Sequence, residues 1–419
     1  MSADVAVIGL GRVGLPLALA FADAGLDVIG VDNDPARIEA LRAGRMPFEE
    51  PGAQEVLDRV RERLTLAERA ADAAPADHIV LTLGTPAMSH IEIDLRQIRA
   101  VLDDLLPHLR EGHAIHLRST IAPDTTQFVA GYLAKHRGFE IGTEVFVAHV
   151  PERIASAKFF EEISTLPCIV GGVGERSGEV AAELFSRLGA PIVQTTPVQA
   201  ELAKIWTNIL RYANFALPNL MMMDCEQYGA NVFEVVELIN KDYPRGGMKL
   251  PGFTAGTCLR KDFAFSEERS NAPGMLLAVS RVNESVPLFL VQGLKRRLGS
   301  LAGKKVAVLG LAFKSDTDDE RDSLSHKLVR LLERELADVA IHDPHVPTPT
   351  SSLGDAVLDA DAVVVATNHP EFCTPDALRQ IVEGARRDAL IVDPWNCWGA
   401  AQVFAHADEV ALLAGLASR

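Results

Sequence analysis

Apolar positions in the first half of the chain occur in short continuous runs that alternate with runs at helical spacing. DVAVIGL (4–10) is a short apolar run, LPLALAFADAG (15–25) has helical spacing, and DVIGVDND (27–34) is an apolar run that ends in acids. This order predicts a β-α-β unit. The runs HIVLTLGTP (78–86), AIHLRST (114–120), EVFVAHVPE (144–152), PCIVGGV (167–173) and APIVQTT (190–196) extend it. Such buried strands, separated by helical segments, predict a mostly parallel sheet.

The pattern changes after Pro197, where helical periodicity persists for more than forty residues with little strand signal. A loop rich in Gly and Pro follows (243–257), and then a second helical stretch (275–299), in which Pro287 is expected to bend the helix or cap a turn. From LAGKKVAVLGLAF (301–313) onward a second α/β pattern begins. The fold class is therefore α/β. We expect an N-terminal Rossmann-type dinucleotide-binding domain over 1–196, a central helical segment over 197–300 and a C-terminal Rossmann-like α/β domain over 301–419.

Composition narrows the class of protein. The chain is 48% hydrophobic and 23% charged with a mean hydropathy of +0.11, which is typical of a soluble globular protein. No apolar run reaches the ~18 residues of a membrane span, and no secretory signal is apparent, so we expect a cytoplasmic protein without membrane contact. A formal net charge of −16 disfavours a nucleic-acid partner, and an anionic substrate would need a local basic pocket. The five cysteines contain no CxxC pair, and we predict neither a disulfide framework nor a metal site.

A dinucleotide site is predicted where the first strand meets the first helix. Gly9, Gly11 and Gly14 form GLGRVG in this context, so backbone amides at a helix N-terminus can approach a pyrophosphate. Asp32 ends the next strand, where a carboxylate accepts hydrogen bonds from ribose hydroxyls and repels a 2′-phosphate. This favours NAD over NADP. Arg37 leaves NADP open, although a solvated helix face explains it equally well, and a glycine turn without a ligand is the alternative for the motif itself.

Cys258 is the candidate nucleophile. It lies in GFTAGTCLRKD, which we interpret as a glycine-flanked loop, with Lys261 and Asp262 close behind. Cationic neighbours lower the pKa of a thiol and favour the nucleophilic thiolate. By itself this signal is weak, because unpaired cysteines are more often small core residues.

Seven landmarks in order strengthen the interpretation. They are GLGRVG with Asp32, GTP (84–86), RST (118–120), PER (151–153), AELAKIWTN (200–208), GFTAGTCLRKD (252–262) and GLAFKSDTDDERDS (310–323). With these landmarks the chain resembles, over essentially its whole length, the UDP-glucose and UDP-N-acetylhexosamine 6-dehydrogenase family, which also contains GDP-mannose dehydrogenases. The resemblance implies a four-electron oxidation with two NAD molecules, through a cysteine thiohemiacetal and thioester.

The resemblance also implies roles for individual residues. Cys258 would be the nucleophile, Lys204 and Asn208 would stabilise the oxyanion and position the sugar, Asp262 and Thr120 would hold the catalytic water, and Glu152 would be a base. Cofactor binding would involve Gly9, Gly11, Arg12, Val13, Gly14, Asp32, Arg37, Thr85 and Thr120. Substrate binding would involve Glu152, Arg153, Lys204, Asn208, Arg245, Phe253, Gly256, Lys314 and Arg321. Without the resemblance, we would interpret Lys204 and Asn208 as part of an exposed polar helix face. We would interpret the segment around Arg321 as a solvated acidic loop.

The choice of sugar stays open. Ala255 and Arg260 depart from the common family pattern around the cysteine, and Ser156 stands where UDP-glucose enzymes often have a second glutamate. Arg118 and Arg153 favour a UDP-N-acetylhexosamine, such as UDP-ManNAc or UDP-GlcNAc, with UDP-glucose possible. The resemblance further implies a homodimer through the central helices, with Arg245 reaching the substrate of the partner subunit. Rival functions are a single-step NAD-dependent β-hydroxyacid dehydrogenase and a catalytically silent nucleotide-sugar sensor.

Overall fold

The computed structural model describes residues 3–84, 95–254, 256–267, 274–399, 402–413 and 415, without the side chain of Thr257. Its contacts divide the chain into two compact units. The first consists of Met1–Thr207 with Ala264–Ser270, and the second of Asn208–Phe263 with Asn271–Arg419. In the described residues no helix has both the length and the apolar character needed to cross a bilayer.

The first unit is built on an eight-stranded sheet with the order β3-β2-β1-β4-β5-β6-β7-β8. The strands are β1 (Ala3–Ile8), β2 (Val28–Val31), β3 (Leu64–Ala67), β4 (Ala76–Leu81), β5 (Ala114–Leu117), β6 (Phe146–His149), β7 (Cys168–Gly172) and β8 (Ile192–Thr195). All neighbouring strands are parallel except β6 and β7. Strands β2 and β5 are fully buried, and β1 and β4 are buried over their carboxyl halves, because helices cover the sheet on both faces.

The helices of the first unit are α1 (Gly14–Asp23), α2 (Pro35–Arg42), α3 (Ala53–Val60), α4 (Arg96–Leu105), α5 (Thr125–Arg137), α6 (Phe159–Glu162) and α7 (Glu175–Ser186). Helix α1 is buried along nearly its whole length, which explains why its sequence is apolar on every side. Helix α2 begins where the Asp34 side chain accepts hydrogen bonds from the Ala36 and Arg37 amides.

Helix α8 (Pro197–Tyr228) begins where the strand signal ends, and the division between the two units falls within it. The second unit continues with α9 (Val232–Asn240), α10 (Thr257–Glu267) and α11 (Met275–Leu298). Pro218 and Pro287 lie inside α8 and α11.

The C-terminal part of the second unit contains a five-stranded sheet with the order β10-β9-β11-β12-β13. Its strands are β9 (Lys305–Leu309), β10 (Asp338–His342), β11 (Ala362–Val365), β12 (Leu390–Val392) and β13 (Phe404–His406), and its helices are α12 (Leu324–Arg334), α13 (Leu353–Val357), α14 (Pro375–Gly384) and α15 (Ala407–Leu413). Only β12 and β13 pair antiparallel. The predicted fold class, α/β with a helical middle segment, is confirmed.

Candidate active site

The glycine motif of the first unit forms the turn between β1 and α1. Gly14 is the first residue of α1, and a Cβ at this position would overlap with the Gly9 carbonyl oxygen and the Thr82 hydroxyl. Around Gly11, by contrast, a Cβ would meet none of the described atoms within 4 Å. Val13 offers α1 no side-chain cap. The Leu15 amide donates to the Gly11 carbonyl at 3.0 Å and Pro16 has no amide hydrogen, so a ligand would meet the Gly14 amide and those of the turn before it. These features fit the pyrophosphate of a dinucleotide.

Asp32 follows β2 and is nearly buried. Its Oδ2 accepts hydrogen bonds from the Leu10 amide at 2.6 Å and from Arg37 Nη1 at 2.7 Å, and its Oδ1 accepts one from the Asp34 amide at 2.9 Å. Arg37 also lies 3.3 Å from the carboxylate of Asp34. Because two carboxylates compensate its charge, Arg37 is a poor anchor for a 2′-phosphate, and this arrangement favours NAD.

The other predicted cofactor residues of this unit lie in loops. The Arg12 guanidinium stacks 5.0 Å from the centroid of the Phe48 ring, and Thr120 follows β5. The neighbouring Ser119 hydroxyl donates to the Leu83 carbonyl at 2.6 Å, which links the loops after β4 and β5. Thr85 lies outside the described residues.

Cys258 lies in the first turn of α10, so our interpretation of this position as a loop was wrong. The residue is exposed to solvent. Gly256 introduces the helix with φ of +91°, and a Cβ there would come within 2.7 Å of the Phe313 ring, so only glycine fits this close approach. A helix N-terminus stabilises a thiolate in its first turn.

Asp262 lies one turn after Cys258 on α10 and has no exposed surface. Its Oδ2 accepts a hydrogen bond of 2.5 Å from Asn208 Nδ2, so a residue predicted to hold the catalytic water contacts one predicted to position the sugar. A spacing of four residues puts the thiol and the carboxylate on the same side of the helix. The site thus combines an exposed thiol with a buried carboxylate that a hydrogen bond orients.

The charge of Arg321 interacts with that of this cysteine, which sequence reasoning did not foresee. The guanidinium makes two hydrogen bonds, of 2.8 and 2.7 Å, to the carboxylate of Asp319. Those bonds raise the pKa of Arg321, desolvation opposes them, and the charges of Asp319 and of the Cys258 thiolate raise it further. Sixty-three residues separate Arg321 from Cys258 in the chain, and no sequence pattern reveals the pairing.

A buried amide network holds the segment that leads to Cys258. Asn219 on α8 accepts from the Gly252 amide at 2.9 Å and donates to the Gly252 carbonyl at 3.0 Å and to Asn283 Oδ1 at 2.9 Å. Asn283 on α11 donates to the Tyr212 carbonyl at 3.0 Å. The sequence analysis missed both asparagines. Each asparagine is a polar residue inside an otherwise apolar helical stripe. This pattern could have indicated a buried hydrogen-bond network, because buried polar groups need partners.

In the first unit, Glu152 is fixed by several hydrogen bonds. Its Oε2 accepts from Arg118 Nη2 at 2.8 Å, and its Oε1 accepts from the amides of Arg153 and Ile154 at 2.7 and 2.8 Å. Arg118 also donates to the Val150 carbonyl at 3.1 Å. This is the environment of a structural anion that shapes the PER loop, and the role of Glu152 as a base stays a prediction.

His149, at the end of β6, is a fully buried neighbour that the sequence analysis did not single out. Its ring makes a hydrogen bond to the Leu117 carbonyl through Nδ1 at 2.9 Å. Burial first, then the charges of Arg118 and Lys204, lower the pKa of His149 to about 3, although the bond to Leu117 opposes them. The imidazole is therefore neutral at physiological pH.

The remaining predicted residues occupy varied positions. Lys204 belongs to the first unit and Asn208 to the second, although both are on α8. Arg153 donates to the Pro167 carbonyl at 3.4 Å, and exposed Arg245 stacks 4.7 Å above the Tyr243 ring. Phe253 is only 4% exposed and packs in the core of the second unit. Lys314 is half-buried in the loop after β9. The substrate roles of these residues stay predictions.

Comparisons with known proteins agree with this geometry. The chain matches the UDP-glucose/GDP-mannose dehydrogenase family in three parts: its NAD binding domain over residues 3–189, its central domain over 198–285 and its UDP binding domain over 307–400. The UDP-N-acetyl-D-mannosamine dehydrogenase of Pyrococcus horikoshii is 33% identical over 407 residues, which cover 94% of this chain and 95% of that protein.

Solved structures are similar over the same length. The UDP-D-ManNAc dehydrogenase from Pyrococcus horikoshii has a TM-score of 0.87 at 32% identity, covering 94% of this chain and 96% of its own. A UDP-glucose dehydrogenase from Pyrobaculum islandicum has a TM-score of 0.82 at 30% identity, covering 94% of both chains. The family resemblance and the NAD cofactor expected from the sequence are thereby confirmed. The chain belongs to the UDP-glucose/GDP-mannose dehydrogenase family of NAD-dependent oxidoreductases.

Proposed function

We propose that this enzyme oxidises the C6 alcohol of a UDP-N-acetylhexosamine, UDP-N-acetylmannosamine first of all, to the carboxylate through a thioester on Cys258. The observation that carries the proposal is the exposed Cys258 in the first turn of α10, one turn ahead of buried Asp262. Asn208 orients that carboxylate at 2.5 Å. A nucleophile beside an oriented carboxylate suits formation and hydrolysis of a covalent acyl intermediate.

The reaction balances over two oxidations. NAD supplies the hydride acceptor in each of them. In the first, the C6 alcohol loses a hydride and a proton and becomes an aldehyde. The Cys258 thiolate then adds to the aldehyde carbon, and the resulting alkoxide takes up a proton to give a thiohemiacetal. Loss of a second hydride and of the hydroxyl proton leaves a thioester. Water, which Asp262 is suited to orient and deprotonate, breaks the carbon–sulfur bond and releases the acid and the thiolate.

Arg321 supports the covalent step through charge. It interacts electrostatically with the Cys258 thiolate, and Asp319 fixes its guanidinium in place with two hydrogen bonds. A fixed cation that interacts with this sulfur suits a step in which negative charge develops. The diphosphate role predicted for Arg321 stays a separate prediction, as do the roles of Lys204 and Thr120.

The names of similar proteins support the choice of sugar. The relative with 33% identity is a UDP-N-acetyl-D-mannosamine dehydrogenase, and so are five further relatives with 26–31% identity. The similar UDP-glucose dehydrogenase structure makes UDP-glucose the second candidate.

The decisive experiment measures NADH formed per sugar consumed, with UDP-ManNAc, UDP-GlcNAc and UDP-glucose offered separately. We expect two NADH per sugar and the highest kcat/KM for UDP-ManNAc. One NADH per sugar with aldehyde or ketone accumulating would overturn the four-electron reaction. Tight binding without turnover would favour the silent sensor. Higher kcat/KM for UDP-glucose would overturn only the choice of sugar.

Cysteine variants test the nucleophile. Cys258→Ser should keep NAD and UDP-sugar binding but fail to release acid, because an alkoxide is far less accessible than a thiolate at neutral pH. The matched control is Cys373→Ser, a half-buried cysteine of the same unit, which should keep two NADH per sugar. If Cys258→Ser released acid at the rate of the native enzyme, the covalent route would be wrong.

Glu152→Gln separates a base from a structural anion. Loss of a base should lower kcat by about 10²–10⁴-fold without changing the melting temperature. Loss of the charge opposite buried Arg118 should instead lower the melting temperature and leave kcat per folded molecule within a few-fold. The observed hydrogen bonds favour the second outcome.

We further propose a homodimer through the helices of the second unit. Leu217 and Leu220 on α8 are 59% and 47% exposed, and Leu288 on α11 is 43% exposed. An apolar surface of this kind on adjoining helices is typical of an interface. Light scattering should find a dimer, and Leu217→Glu with Leu220→Glu should give a monomer. Leu238→Glu on α9, at an isolated exposed position, is the control. If the native chain is a monomer with full turnover, this assembly is wrong.

A further inference from the structure

Three metal-binding side chains meet at the carboxyl edge of the C-terminal sheet. His345 lies in the loop after β10, and His369 and Glu371 lie in the loop after β11. One ligand atom from each lies within 4.8 Å of the other two. Strands β10 and β11 flank β9, so their loops meet above the end of that strand. Crevices at this point of an α/β sheet commonly bind ligands.

His369 has the orientation of a histidine that binds a metal. Its ring is fully buried, and its Nε2 lies 3.2 Å from Asp343 Oδ2, which also accepts hydrogen bonds from two backbone amides. A hydrogen on Nε2 can be donated to this carboxylate, and the neutral ring then has its lone pair on Nδ1. No described residue makes a hydrogen bond to Nδ1. A carboxylate that holds one ring nitrogen while the other remains available is the usual support of a metal ligand.

His345 and Glu371 complete the cluster from the solvent side. His345 Nε2 lies 3.2 Å from Glu371 Oε1, and the side chains are 22% and 51% exposed. The rings of His345 and His369 are 4.8 Å apart between centroids. A surface ion pair alone would explain the contact of His345 with Glu371, but it does not explain the buried, unpartnered nitrogen of His369.

We propose that His345, His369 and Glu371 bind one divalent transition-metal ion of the Zn²⁺ class. Two imidazoles and one carboxylate suit Zn²⁺, and solvent on the side of Glu371 can supply a fourth ligand. The ion would connect the loops after β10 and β11 and stabilise the folded second unit, since a ligand that binds only the folded state shifts unfolding. The sequence analysis predicted no metal because its criteria looked for cysteine pairs.

The test uses the full-length chain, free of any affinity tag and stripped with a chelator, and Zn²⁺ alone as the probe. Equilibrium dialysis with elemental analysis should find one Zn²⁺ per chain, and Zn²⁺ should raise the melting temperature. His345→Ala and Glu371→Gln, both at solvent-accessible positions, should each weaken Zn²⁺ binding at least about tenfold. Replacement of Zn²⁺ by Co²⁺ should give the visible absorption of a site with nitrogen and oxygen ligands.

His326→Ala is the matched control. His326 Nε2 lies 3.2 Å from Glu320 Oε2 in the same unit, the same spacing as in the pair of His345 and Glu371. The described residues around it form no cluster of three ligands. This variant should keep one Zn²⁺ per chain. Uptake that is weak and equal in the native chain and in all three variants would overturn the site, because it would show binding to scattered surface groups.

Discussion

The two α/β sheets of the molecule repeat one turn and then use it differently. In each, a glycine after the first strand has a positive φ, of 95° and 97°, and the next amide donates at 2.6 Å to an aspartate that ends the neighbouring strand. These residues are Gly9, Leu10 and Asp32 in the first unit and Gly310, Leu311 and Asp343 in the second. The shared turn shows that an acid-anchored strand end does not by itself identify a dinucleotide site.

The difference begins five residues after the glycine. In the first unit this position is Gly14, and α1 starts there. In the second unit it is Ser315, and the next helix, α12, starts only at Leu324. The loop between β9 and α12 carries Lys314 and Arg321. A helix N-terminus directly after the turn suits a pyrophosphate, whereas the longer loop supplies charged side chains instead.

The acid itself also has different partners. Asp32 binds Arg37 at 2.7 Å near the surface, whereas Asp343 binds fully buried His369 at 3.2 Å. Burial would raise the pKa of Asp343, but hydrogen bonds from His369 and from the amides of Ala312 and His345 outweigh it and hold the pKa well below its usual range. The first acid is thus available to a cofactor, and the second is committed to the protein.

The largest effect should come from adding a side chain at Gly14, where α1 comes close to the Gly9 carbonyl oxygen. Gly14→Ala puts a methyl group against the Gly9 carbonyl oxygen, and we expect it to destabilise the protein by at least about 3 kcal/mol, the upper end of the overpacking range, and to weaken NAD binding. The control, Ser315→Ala, should change stability by no more than about 0.5 kcal/mol. Urea unfolding and NAD titration measure both. If the two substitutions changed stability and NAD binding to the same small extent, the predicted difference between the two turns would be wrong.

The next largest effects are expected from replacing the two aspartates that end the neighbouring strands. Asp343→Asn removes the charged acceptor of the Leu311 and Ala312 amides and should cost about 2–3 kcal/mol of unfolding free energy. Asp32→Asn should cost less stability but raise the Kd for NAD, because Asp32 is the residue expected to contact the ribose. Unfolding and NAD binding are measured for both variants. If Asp343→Asn weakened NAD binding more than Asp32→Asn, the roles would be reversed.

Local patterns in the sequence predicted the parts of this comparison that depend on neighbouring residues. Continuous apolar runs predicted β1, β2 and β9, and the glycine spacing predicted the turn at Gly9. The four-residue strand β3 was missed, because no position in it is fully buried and its apolar signal is weak. Cys258 was placed in a loop because its flanking glycines suggested one, although Gly256 in fact introduces α10.

Long-range pairings could not be predicted from the sequence. The resemblance grouped Cys258, Asn208 and Asp262, but the electrostatic interaction of Arg321 with Cys258 depends on how the loop after β9 packs. The same holds for the two halves of the histidine cluster, since His345 and His369 are 24 residues apart and meet only because β10 and β11 flank β9. Phe253, which the resemblance assigned to substrate binding, likewise packs in the core of the second unit, which its sequence neighbours do not reveal.

The smallest predicted effect contrasts two of the fully buried histidines, His149 in the first unit and His369 in the second. His369 has a carboxylate partner, whereas His149 has a carbonyl partner and the cations Arg118 and Lys204 nearby, with a pKa lowered from 6.5 to about 3. Above pH 6.5 His149 is neutral in both the folded and the unfolded chain. As the pH falls below 6.5 only the unfolded chain takes up the proton, so stability decreases until about pH 3. Between pH 7.5 and 5 this should remove about 2 kcal/mol of the free energy of unfolding.

The variant His149→Asn tests this prediction, because it keeps a side-chain donor for the Leu117 carbonyl but does not titrate. Urea unfolding at both pH values should show that it loses about 2 kcal/mol less than the native chain. An equal loss in both proteins would mean that the folded chain protonates His149 as readily as the unfolded chain does.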